Sequence, residues 1–175
     1  GATKPVLIGG VKLRAGDAIA AFRELADASG YGVACMPNAK SLFDEQHPSF
    51  MGIYWGPVGT PGCGEIVESA DRCLVAGPVF TDYTTTGHAA LLHREKMIEV
   101  RPHCVLMEGQ SYNNIAMRDF LSQLAGKLTR NDTSLKAYQR IAEAKAPANT
   151  AASDAPLTTR QLFARVQNIL TADSA

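Results

Sequence analysis

The sequence predicts an α/β fold in which helices cover both faces of a mostly parallel β-sheet. Three observations lead to this prediction. Short apolar runs that end at Gly or Pro alternate along the chain with stretches whose apolar residues recur at helical spacing. The first strand, helix and strand together span about thirty residues, which is the size of a βαβ unit. The chain of 175 residues is also long enough for one domain with a sizeable core.

The first βαβ unit is predicted over residues 5–36. Apolar runs at residues 5–8 and 31–36 are typical of buried parallel strands, and the stretch between them has an apolar stripe at helical spacing. Gly30 is suited to end this helix, because glycine adopts the left-handed conformation of a helix end without strain. Since βαβ crossovers are right-handed, the helix must cover one face of the sheet. The stripe consists of Ala18, Ala21, Phe22, Leu25 and Ala26.

The same alternation continues along most of the chain. Short apolar runs predict three more strands, and further amphipathic stretches predict three more helices. Because strands and helices alternate, the helices are expected on both faces of an open sheet. The predicted strands lie at residues 73–76, 97–100 and 104–107, and the predicted helices lie at residues 61–70, 116–128 and 134–144.

The composition changes after these elements. Residues 145–155 are small, polar and proline-containing, which is typical of a linker. Residues 156–175 carry an apolar stripe at helical spacing, and either Thr158 or Thr159 is a suitable N-cap. We therefore expect one domain over residues 1–144, a linker, and a helix that needs a partner surface. The stripe of that helix consists of Leu162, Phe163, Val166, Ile169 and Leu170.

Charge and cysteine content exclude several classes of protein. Lys plus Arg and Asp plus Glu both number 17, so the net charge that attracts nucleic acid or anionic lipid is missing. No apolar run approaches the roughly 20 residues of a membrane-spanning helix, and the first residues lack the features of a secretory signal. The cysteines form no C-x-x-C pair, so we expect reduced, mostly buried thiols and a cytoplasmic protein without nucleic-acid or membrane partners. They are Cys35, Cys63, Cys73 and Cys104.

The turn at Gly9 and Gly10, after the first predicted strand, has two interpretations. Glycine there lets a backbone approach a pyrophosphate at a helix N-terminus, as in dinucleotide-binding domains. However, the segment GGVKLRAG lacks the G-x-G-x-x-G spacing, and residues 36–38 include no acidic side chain to hold a ribose. A tight turn without a ligand is the favoured interpretation, and a nucleotide-binding module is the alternative.

The histidines and the carboxylate pair are the other candidates for chemistry. His88 and His93 are five residues apart, which turns them away from each other on a helix, so we predict no metal site. Asp44 and Glu45 lie next to His47 in sequence, and such a group transfers protons when a fold brings it to a cleft. Adjacent carboxylates in a loop that ends in proline are more often solvated turn residues, and we favour that interpretation.

Two loops carry residue types that favour contacts. Tyr54 and Trp55 lie between glycines and suit either the core or an interface with another domain, since Trp and Tyr dominate interface energies. The threonines at residues 84–86 suit a phosphate contact or, as we favour, the N-terminus of a helix. From loop position and aromatic content, the predicted contacts with neighbouring domains are Asp44, Glu45, His47, Tyr54 and Trp55.

Several short motifs occur together before residue 130. In chain order they are residues 4–10 (KPVLIGG), Lys40, residues 44–48 (DEQHP), Gly52, residues 54–56 (YWG), residues 68–71 (ESAD), Gly77 and residues 81–82 (TD). Each motif is short, and their joint order is the specific signal. In this order and spacing the chain resembles the middle domain of thiamine-diphosphate-dependent 2-oxo-acid decarboxylases, most closely that of pyruvate decarboxylase.

The resemblance implies a fold and a role. The family's middle domain is a Rossmann-like three-layer domain with a six-stranded parallel sheet, and its role is structural and regulatory. The middle domain holds FAD in acetohydroxyacid synthase and ADP in oxalyl-CoA decarboxylase, whereas that of pyruvate decarboxylase is generally empty. Residues 156–173 resemble the first helix of the pyrophosphate-binding domain that follows, so we expect that domain to be truncated here.

The resemblance also implies the chemistry of a parent enzyme. Pyruvate decarboxylase converts pyruvate to acetaldehyde and carbon dioxide with thiamine diphosphate and Mg²⁺, in dimers that assemble into tetramers. The partners of this chain would be the flanking pyrimidine- and pyrophosphate-binding domains. A related decarboxylase that acts on indolepyruvate or phenylpyruvate is an alternative, because the family's substrate pocket is lined by those other domains.

The catalytic motifs of this family are missing from the chain. The family uses an activating glutamate, an adjacent His-His pair, and a G-D-G motif with a downstream Asn. The segment Gly16-Asp17-Ala18 lacks the final glycine of that motif. We therefore expect no catalytic, cofactor-binding or metal-ligating residue in this chain, and no activity from the chain alone.

Overall fold

The structure of the protein is a computed structural model that describes residues 1–90, 92–145 and 157–171. The chain divides into two units, Gly1–Lys145 and Ala146–Ala175. Seven strands of the first unit form one sheet in the order β3-β2-β1-β4-β5-β6-β7. They are β1 (Pro5–Gly9), β2 (Gly32–Cys35), β3 (Phe50–Ile53), β4 (Arg72–Ala76), β5 (Met97–Arg101), β6 (Cys104–Met107) and β7 (Gln110–Asn113).

The sheet is mixed, with a parallel centre. β1 lies between β2 and β4 and is parallel to both, so that Leu7 pairs with Val33 on one side and Leu74 on the other. β3 and β5 extend the parallel part, whereas β6 and β7 join by antiparallel hairpins. The predicted α/β fold with a mostly parallel sheet is confirmed, with seven strands where the resemblance implied six. Neither β3 nor β7 was predicted from the sequence. The polar, exposed sequence of β7 contains no apolar run.

Helices cover both faces of the sheet. They are α1 (Lys12–Ala15), α2 (Ile19–Ser29), α3 (Cys63–Ser69), α4 (Met117–Ala125) and α5 (Thr133–Lys145). α2 connects β1 to β2, and α3 connects β3 to β4. The connection from β1 to β2 crosses the sheet in one direction, and the connection from β3 to β4 crosses it in the other. Because both crossovers are right-handed, α2 and α3 lie on opposite faces of the sheet. α4 packs against α2, and α5 packs against α3, β1 and β2. The four helices predicted in this part of the chain correspond to α2, α3, α4 and α5 and are confirmed, whereas α1 was not predicted as a separate helix.

The core is centred on β1 and α2. Leu7, Ile8, Phe22 and Leu25 are each less than 2% exposed, and burial of such a side chain contributes about 1.5–3 kcal/mol. Phe22 meets Phe43 edge to face, with ring centroids 5.8 Å apart. The core packing of α2 therefore also positions the loop that connects β2 to β3.

Two helix ends follow the predicted signals. Gly30 follows α2 with φ of 68°, and its N–H donates to Ala26 O at 3.0 Å. In the second unit, α6 (Thr159–Ile169) begins with a capping box between Thr158 and Gln161. The predicted linker at residues 145–155 lies outside the described residues except for Lys145, which ends α5. No helix in the described part of the chain is long and apolar enough to cross a membrane.

Candidate functional site

The candidate site is the carboxyl edge of the sheet beside β1 and β4. The strand order reverses at β1, and ligands of open α/β sheets bind in the crevice outside the strand ends at such a reversal. The turn after β1 leads through Gly10 into α1, and the chain leaves β4 through Gly77. These two turns form the walls of the crevice.

The two turns are in direct backbone contact. The N–H of Gly10 donates to Ala76 O at 2.8 Å, and the N–H of Lys12 donates to Gly77 O at 2.9 Å. A Cβ added to Gly10 would overlap the Gly77 carbonyl, and one added to Gly77 would lie 2.6 Å from the Leu13 nitrogen. Gly77 also has φ of 68°, which favours glycine. The two turns therefore close the crevice at this point, backbone against backbone.

The first helix does not offer its N–H groups to a phosphate. In dinucleotide-binding domains the pyrophosphate sits at the N-terminus of this helix. Here the N–H groups of Lys12, Leu13 and Arg14 donate to backbone carbonyls of the same chain, at 2.9, 3.1 and 3.4 Å. β2 is followed by Met36 and Pro37, without a carboxylate for a ribose. The residues at this edge do not fit a dinucleotide, and the geometry supports the tight-turn interpretation.

Asp44 and Glu45 are turn residues in solvent. The carboxylate of Glu45 accepts hydrogen bonds from the Lys40 ammonium at 2.9 Å, and that of Asp44 accepts from the Gln46 N–H at 2.9 Å. Both side chains are exposed. The structure therefore favours the interpretation of these carboxylates as solvated turn residues over proton transfer in a cleft.

His47 is buried and is tied to α2. Its Nδ1 accepts from the Ser49 N–H at 3.1 Å, so Nε2 carries the proton and donates to the Asp27 carboxylate at 2.9 Å. The Phe43 ring packs against the imidazole at a centroid distance of 4.9 Å, and the His47 side chain is 5% exposed. His47 therefore anchors the loop between β2 and β3 to α2.

Tyr54 is a core residue with a polar end. It is 2% exposed, and its hydroxyl donates to the Glu68 carboxylate at 3.0 Å. Burial, together with the neighbouring Glu68 charge, raises the pKa of the Tyr54 phenol well above its usual range. The phenol is therefore a neutral hydrogen-bond donor that ties the end of β3 to α3.

Trp55 connects the loops that follow β3 and β4. Its indole N–H donates to Tyr83 O at 2.6 Å, and the two rings pack with centroids 5.0 Å apart. The Thr86 hydroxyl donates to Trp55 O at 2.9 Å. The exposed apolar residues of these loops were not predicted as contact residues from the sequence; Val58, Phe80 and Tyr83 are examples. An aromatic residue in a hydroxyl-rich loop was the available signal for Tyr83.

The threonine run does not begin a helix. Residues 84–86 lie in turns, so the predicted helix N-terminus is wrong. The Thr84 hydroxyl donates to Val79 O at 2.8 Å, and the Thr85 hydroxyl donates to Thr81 O at 2.6 Å. Because these hydroxyls stabilise their own loop, they are not free to donate to a phosphate.

The cysteines are free thiols, and three of them are buried as predicted. Burial raises the pKa of Cys35 and of Cys63 to about 12 and that of Cys73 to about 11. These thiols are protonated at neutral pH and are poor nucleophiles. Among the described residues, no group of three or more His, Cys, Asp or Glu side chains is arranged to hold a metal ion.

The predicted contacts with neighbouring domains now separate into two groups. His47 and Tyr54 are buried within their own domain, so their side chains leave little surface for another domain. Asp44 and Glu45 are exposed and Trp55 is half-buried. The prediction of interdomain contacts therefore concerns Asp44, Glu45 and Trp55, and it stays a prediction.

Comparison with known proteins places this chain in a family. A family model described as "Thiamine pyrophosphate enzyme, central domain" matches residues 1–116. The chain is 46% identical to "Pyruvate decarboxylase 2" of Nicotiana tabacum and to "Pyruvate decarboxylase 2" of Pisum sativum, and 47% identical to "Pyruvate decarboxylase 2" of Arabidopsis thaliana.

These alignments cover 99% of this chain but only 28%, 43% and 29% of the three relatives, so the chain spans less than half the length of each. The family match includes the central strands and the closed crevice between them. With 116 of its 175 residues matched, the chain belongs to the central-domain family of thiamine pyrophosphate enzymes.

Proposed function

We propose that this chain is the central domain of a pyruvate decarboxylase and that its role there is structural. The relatives that match 99% of the chain are named pyruvate decarboxylases. The closed crevice beside β1 and β4 is the observation that carries the structural role. Gly10, Gly77 and the N–H groups of α1 bind one another where a nucleotide would lie in a dinucleotide-binding domain.

In this proposal the parent enzyme converts pyruvate to acetaldehyde and carbon dioxide. Thiamine diphosphate and Mg²⁺ are bound by the flanking pyrimidine- and pyrophosphate-binding domains, and the central sheet sets the distance between those domains. The names of the relatives favour pyruvate over indolepyruvate or phenylpyruvate as the substrate. The isolated chain is inactive, because the catalytic motifs of the family are encoded elsewhere in the parent.

The proposal also assigns α6 and the assembly of the parent. The exposed stripe of α6, in which Phe163 is 67% and Ile169 is 75% exposed, supports its role as the first helix of the pyrophosphate-binding domain. Residues 145–155 are the linker between the two domains. The parent is a cytoplasmic homodimer or homotetramer, and the free thiols are consistent with a reducing compartment.

The first test compares the chain with its parent. Each is supplied with pyruvate, thiamine diphosphate and Mg²⁺, and acetaldehyde formation is followed by a coupled assay. We expect turnover by the parent alone. Turnover by the purified chain would contradict the structural role, and a parent that decarboxylates indolepyruvate but not pyruvate would contradict the assigned substrate.

The second test separates the structural role from nucleotide binding. Thermal unfolding of the chain is measured with FAD, ADP and NAD. A ligand that binds only the folded state at a hundred times its Kd adds about 2.7 kcal/mol to the free energy of unfolding. We expect no change in the midpoint, because the turns after β1 and β4 close the crevice and the N–H groups of Lys12, Leu13 and Arg14 are already bonded to backbone carbonyls. A midpoint that rises with nucleotide concentration would support the alternative.

A further inference from the structure

The two edges of the sheet differ in how they are covered. At the β3 edge, the Thr60 N–H donates to Ile53 O and the Thr60 hydroxyl accepts from the Ile53 N–H, both at 2.9 Å. A Cβ added to Gly52 would overlap the Thr60 side chain, so this loop lies directly on the strand. At the other edge, no strand of the described structure lies beyond β7, and all four of its residues are exposed.

Hairpin geometry decides which backbone groups of β7 point outward. β6 and β7 are joined by a two-residue turn at residues 108–109, with φ of 53° and 78°. The residues that flank such a turn, here Met107 and Gln110, exchange two backbone hydrogen bonds. Along an antiparallel ladder, hydrogen-bonded pairs alternate with non-hydrogen-bonded pairs, so Val105 and Tyr112 form the next bonded pair. Gln110 and Tyr112 therefore direct their N–H and C=O groups towards β6. Ser111 and Asn113 direct theirs to the outer edge.

Side-chain hydrogen bonds hold β7 in an extended conformation. The Tyr112 hydroxyl donates to Gln110 Oε1 at 2.9 Å, and the Ser111 hydroxyl donates to Asn113 Oδ1 at 3.2 Å. Each bond joins residues two positions apart, which share a face of an extended strand. Edge strands are commonly protected from pairing by charged residues or proline, and β7 contains neither. The edge is therefore ordered and unprotected.

We propose that β7 is an interaction surface for a second copy of this chain, which pairs with it antiparallel about a two-fold axis. In the register centred on Tyr112, Ser111 of one copy lies opposite Asn113 of the other. Their outward N–H and C=O groups then form four hydrogen bonds across the axis. The two Tyr112 residues form the close, non-hydrogen-bonded pair, in which side chains interact favourably.

The composition of β7 favours a second copy over a foreign strand. Two-fold pairing uses the same surface on both molecules, so each favourable contact occurs twice. Residues 109–115 carry no charge, so the pairing opposes no like charges. A foreign peptide that adds to a sheet edge gains its specificity from pockets for alternate side chains. The exposed, polar side chains of β7 are suited to pairing with each other instead.

The association is expected to be weak. Stable interfaces bury about 800 Å² per partner, and a contact between two four-residue strands is much smaller. We expect a Kd on the order of 0.1–1 mM for the 175-residue chain. The proposal concerns the hairpin alone, so its outcome is independent of the identity of the parent enzyme.

Sedimentation equilibrium of the 175-residue chain, up to about 1 mM, tests the proposal at the expected affinity. We expect the average mass of the wild-type chain to rise with concentration. Ser111→Pro should stay monomeric, because proline removes the outward N–H without removing a bond to β6. The matched control Ser111→Thr keeps that N–H and should associate as the wild type does. Circular dichroism and thermal midpoints identify any variant that fails to fold.

A second pair of variants tests the register. Tyr112→Lys places two like charges opposite each other and should weaken association at least tenfold, with partial recovery in high salt. Tyr112→Phe should associate. Hydrogen exchange gives a direct readout, since the amides of Ser111 and Asn113 should gain protection with concentration while that of Tyr112 does not change.

Three outcomes would overturn the proposal. One is a wild-type chain that stays monomeric throughout the concentration range. Another is an association that survives in both Ser111→Pro and Tyr112→Lys. Contact through the exposed stripe of α6 would give that result, because neither variant changes α6. The third is concentration-dependent protection of amides elsewhere in the chain with no change at Ser111 and Asn113.

Discussion

Gly10 and Gly77 determine what the carboxyl edge of the sheet is able to hold. Neither position has room for a side chain, because the turns after β1 and β4 meet backbone to backbone. In a dinucleotide-binding domain, glycine at the first of these turns makes space for a pyrophosphate. Here the same kind of residue makes space for another turn of the same chain. The residue type alone does not distinguish these two uses.

The first prediction concerns Gly77→Ala. The new Cβ would lie 2.6 Å from the Leu13 nitrogen, and φ is 68°. We expect the free energy of unfolding to fall by about 2–4 kcal/mol, because both left-handed strain and overpacking apply. Gly87→Ala is the matched control, since Gly87 has φ of 65° in open space and should lose only about 1–2 kcal/mol. Equal losses in urea denaturation would show that backbone contact at the crevice contributes nothing.

Burial of three thiols makes the free energy of unfolding depend on pH in the alkaline range. Cys35 and Cys63 have folded pKa values of about 12, and Cys73 of about 11. Unfolded thiols ionise near pH 8.5. Above that pH the unfolded state has lost protons that the folded state retains, so the free energy of unfolding falls as pH rises. The stabilisation that comes from keeping these thiols protonated is fully present below a pH of about 8.5, and it is lost as the pH rises from about 8.5 to the folded pKa values.

The second prediction follows from this linkage. Between pH 8 and 10 each buried thiol should lower the free energy of unfolding by about 1–2 kcal/mol. Cys63→Ala should reduce the pH dependence of urea denaturation by that amount. Val67→Ala, at a neighbouring buried position of α3, should destabilise the protein without changing the pH dependence. A pH dependence that is the same in wild type and Cys63→Ala would argue against a raised thiol pKa.

At the scale of elements, loops rather than helices complete the parallel part of the sheet. Thr60 covers the outer edge of β3, and Trp55 joins the loops after β3 and β4. Sequence patterns predicted the buried strands β1, β2 and β4 and the amphipathic helices, because burial on a fixed face leaves a periodic apolar signal. They did not predict β3, β7 or these loop contacts. A hydrogen bond between residues distant in sequence leaves no such period.

The third prediction concerns the cover on β3. Thr60→Val removes the hydroxyl that accepts from the Ile53 N–H while keeping the shape of the side chain. We expect a loss of about 1–2 kcal/mol in the free energy of unfolding, because the N–H loses its partner. Faster hydrogen exchange at the Ile53 amide should accompany it. Thr60→Ser retains the hydroxyl and should behave as the wild type, and the prediction fails if Ser and Val are equally destabilising.

At the scale of the whole molecule, the two units differ in how far their apolar residues are buried. The first unit has a buried core around β1 and α2, whereas the described part of the second, residues 157–171, contains α6 with an exposed apolar stripe. A single amphipathic helix gains most of its stability from packing of its apolar face. This supports the proposal that α6 belongs to the next domain of a longer parent.

The fourth prediction tests that assignment in the parent enzyme. Phe163→Asp places a charge on the exposed stripe of α6. In the proposed parent this charge should disturb the packing of the pyrophosphate-binding domain. We therefore expect thiamine diphosphate to bind at least tenfold more weakly, which corresponds to about 1.4 kcal/mol. Gln167→Glu changes a polar residue of the same helix and is the control. Unchanged cofactor affinity in Phe163→Asp, measured by calorimetry, would mean that α6 packs elsewhere.

The sequence by itself determined the α/β class, the helix end at Gly30, an N-cap at Thr158 or Thr159, and the family resemblance. The structure selects Thr158 as the N-cap. These features depend on local signals, such as the period of apolar residues, capping residues and short motifs. Such signals lie within short stretches of sequence and can be recognised without knowledge of the tertiary contacts. The mostly buried thiols were expected because the cysteines form no C-x-x-C pair and free cysteine is usually buried, although Cys104 is only half-buried.

Only the tertiary structure decided the state of the crevice, the burial of His47 and Tyr54, and the contrast between a covered and an open sheet edge. Each depends on groups far apart in sequence, such as Gly10 with Gly77 or His47 with Asp27. Whether a glycine turn accepts a phosphate or a neighbouring turn is decided by which backbone lies within hydrogen-bond distance. That distance is set by the packing of the whole sheet.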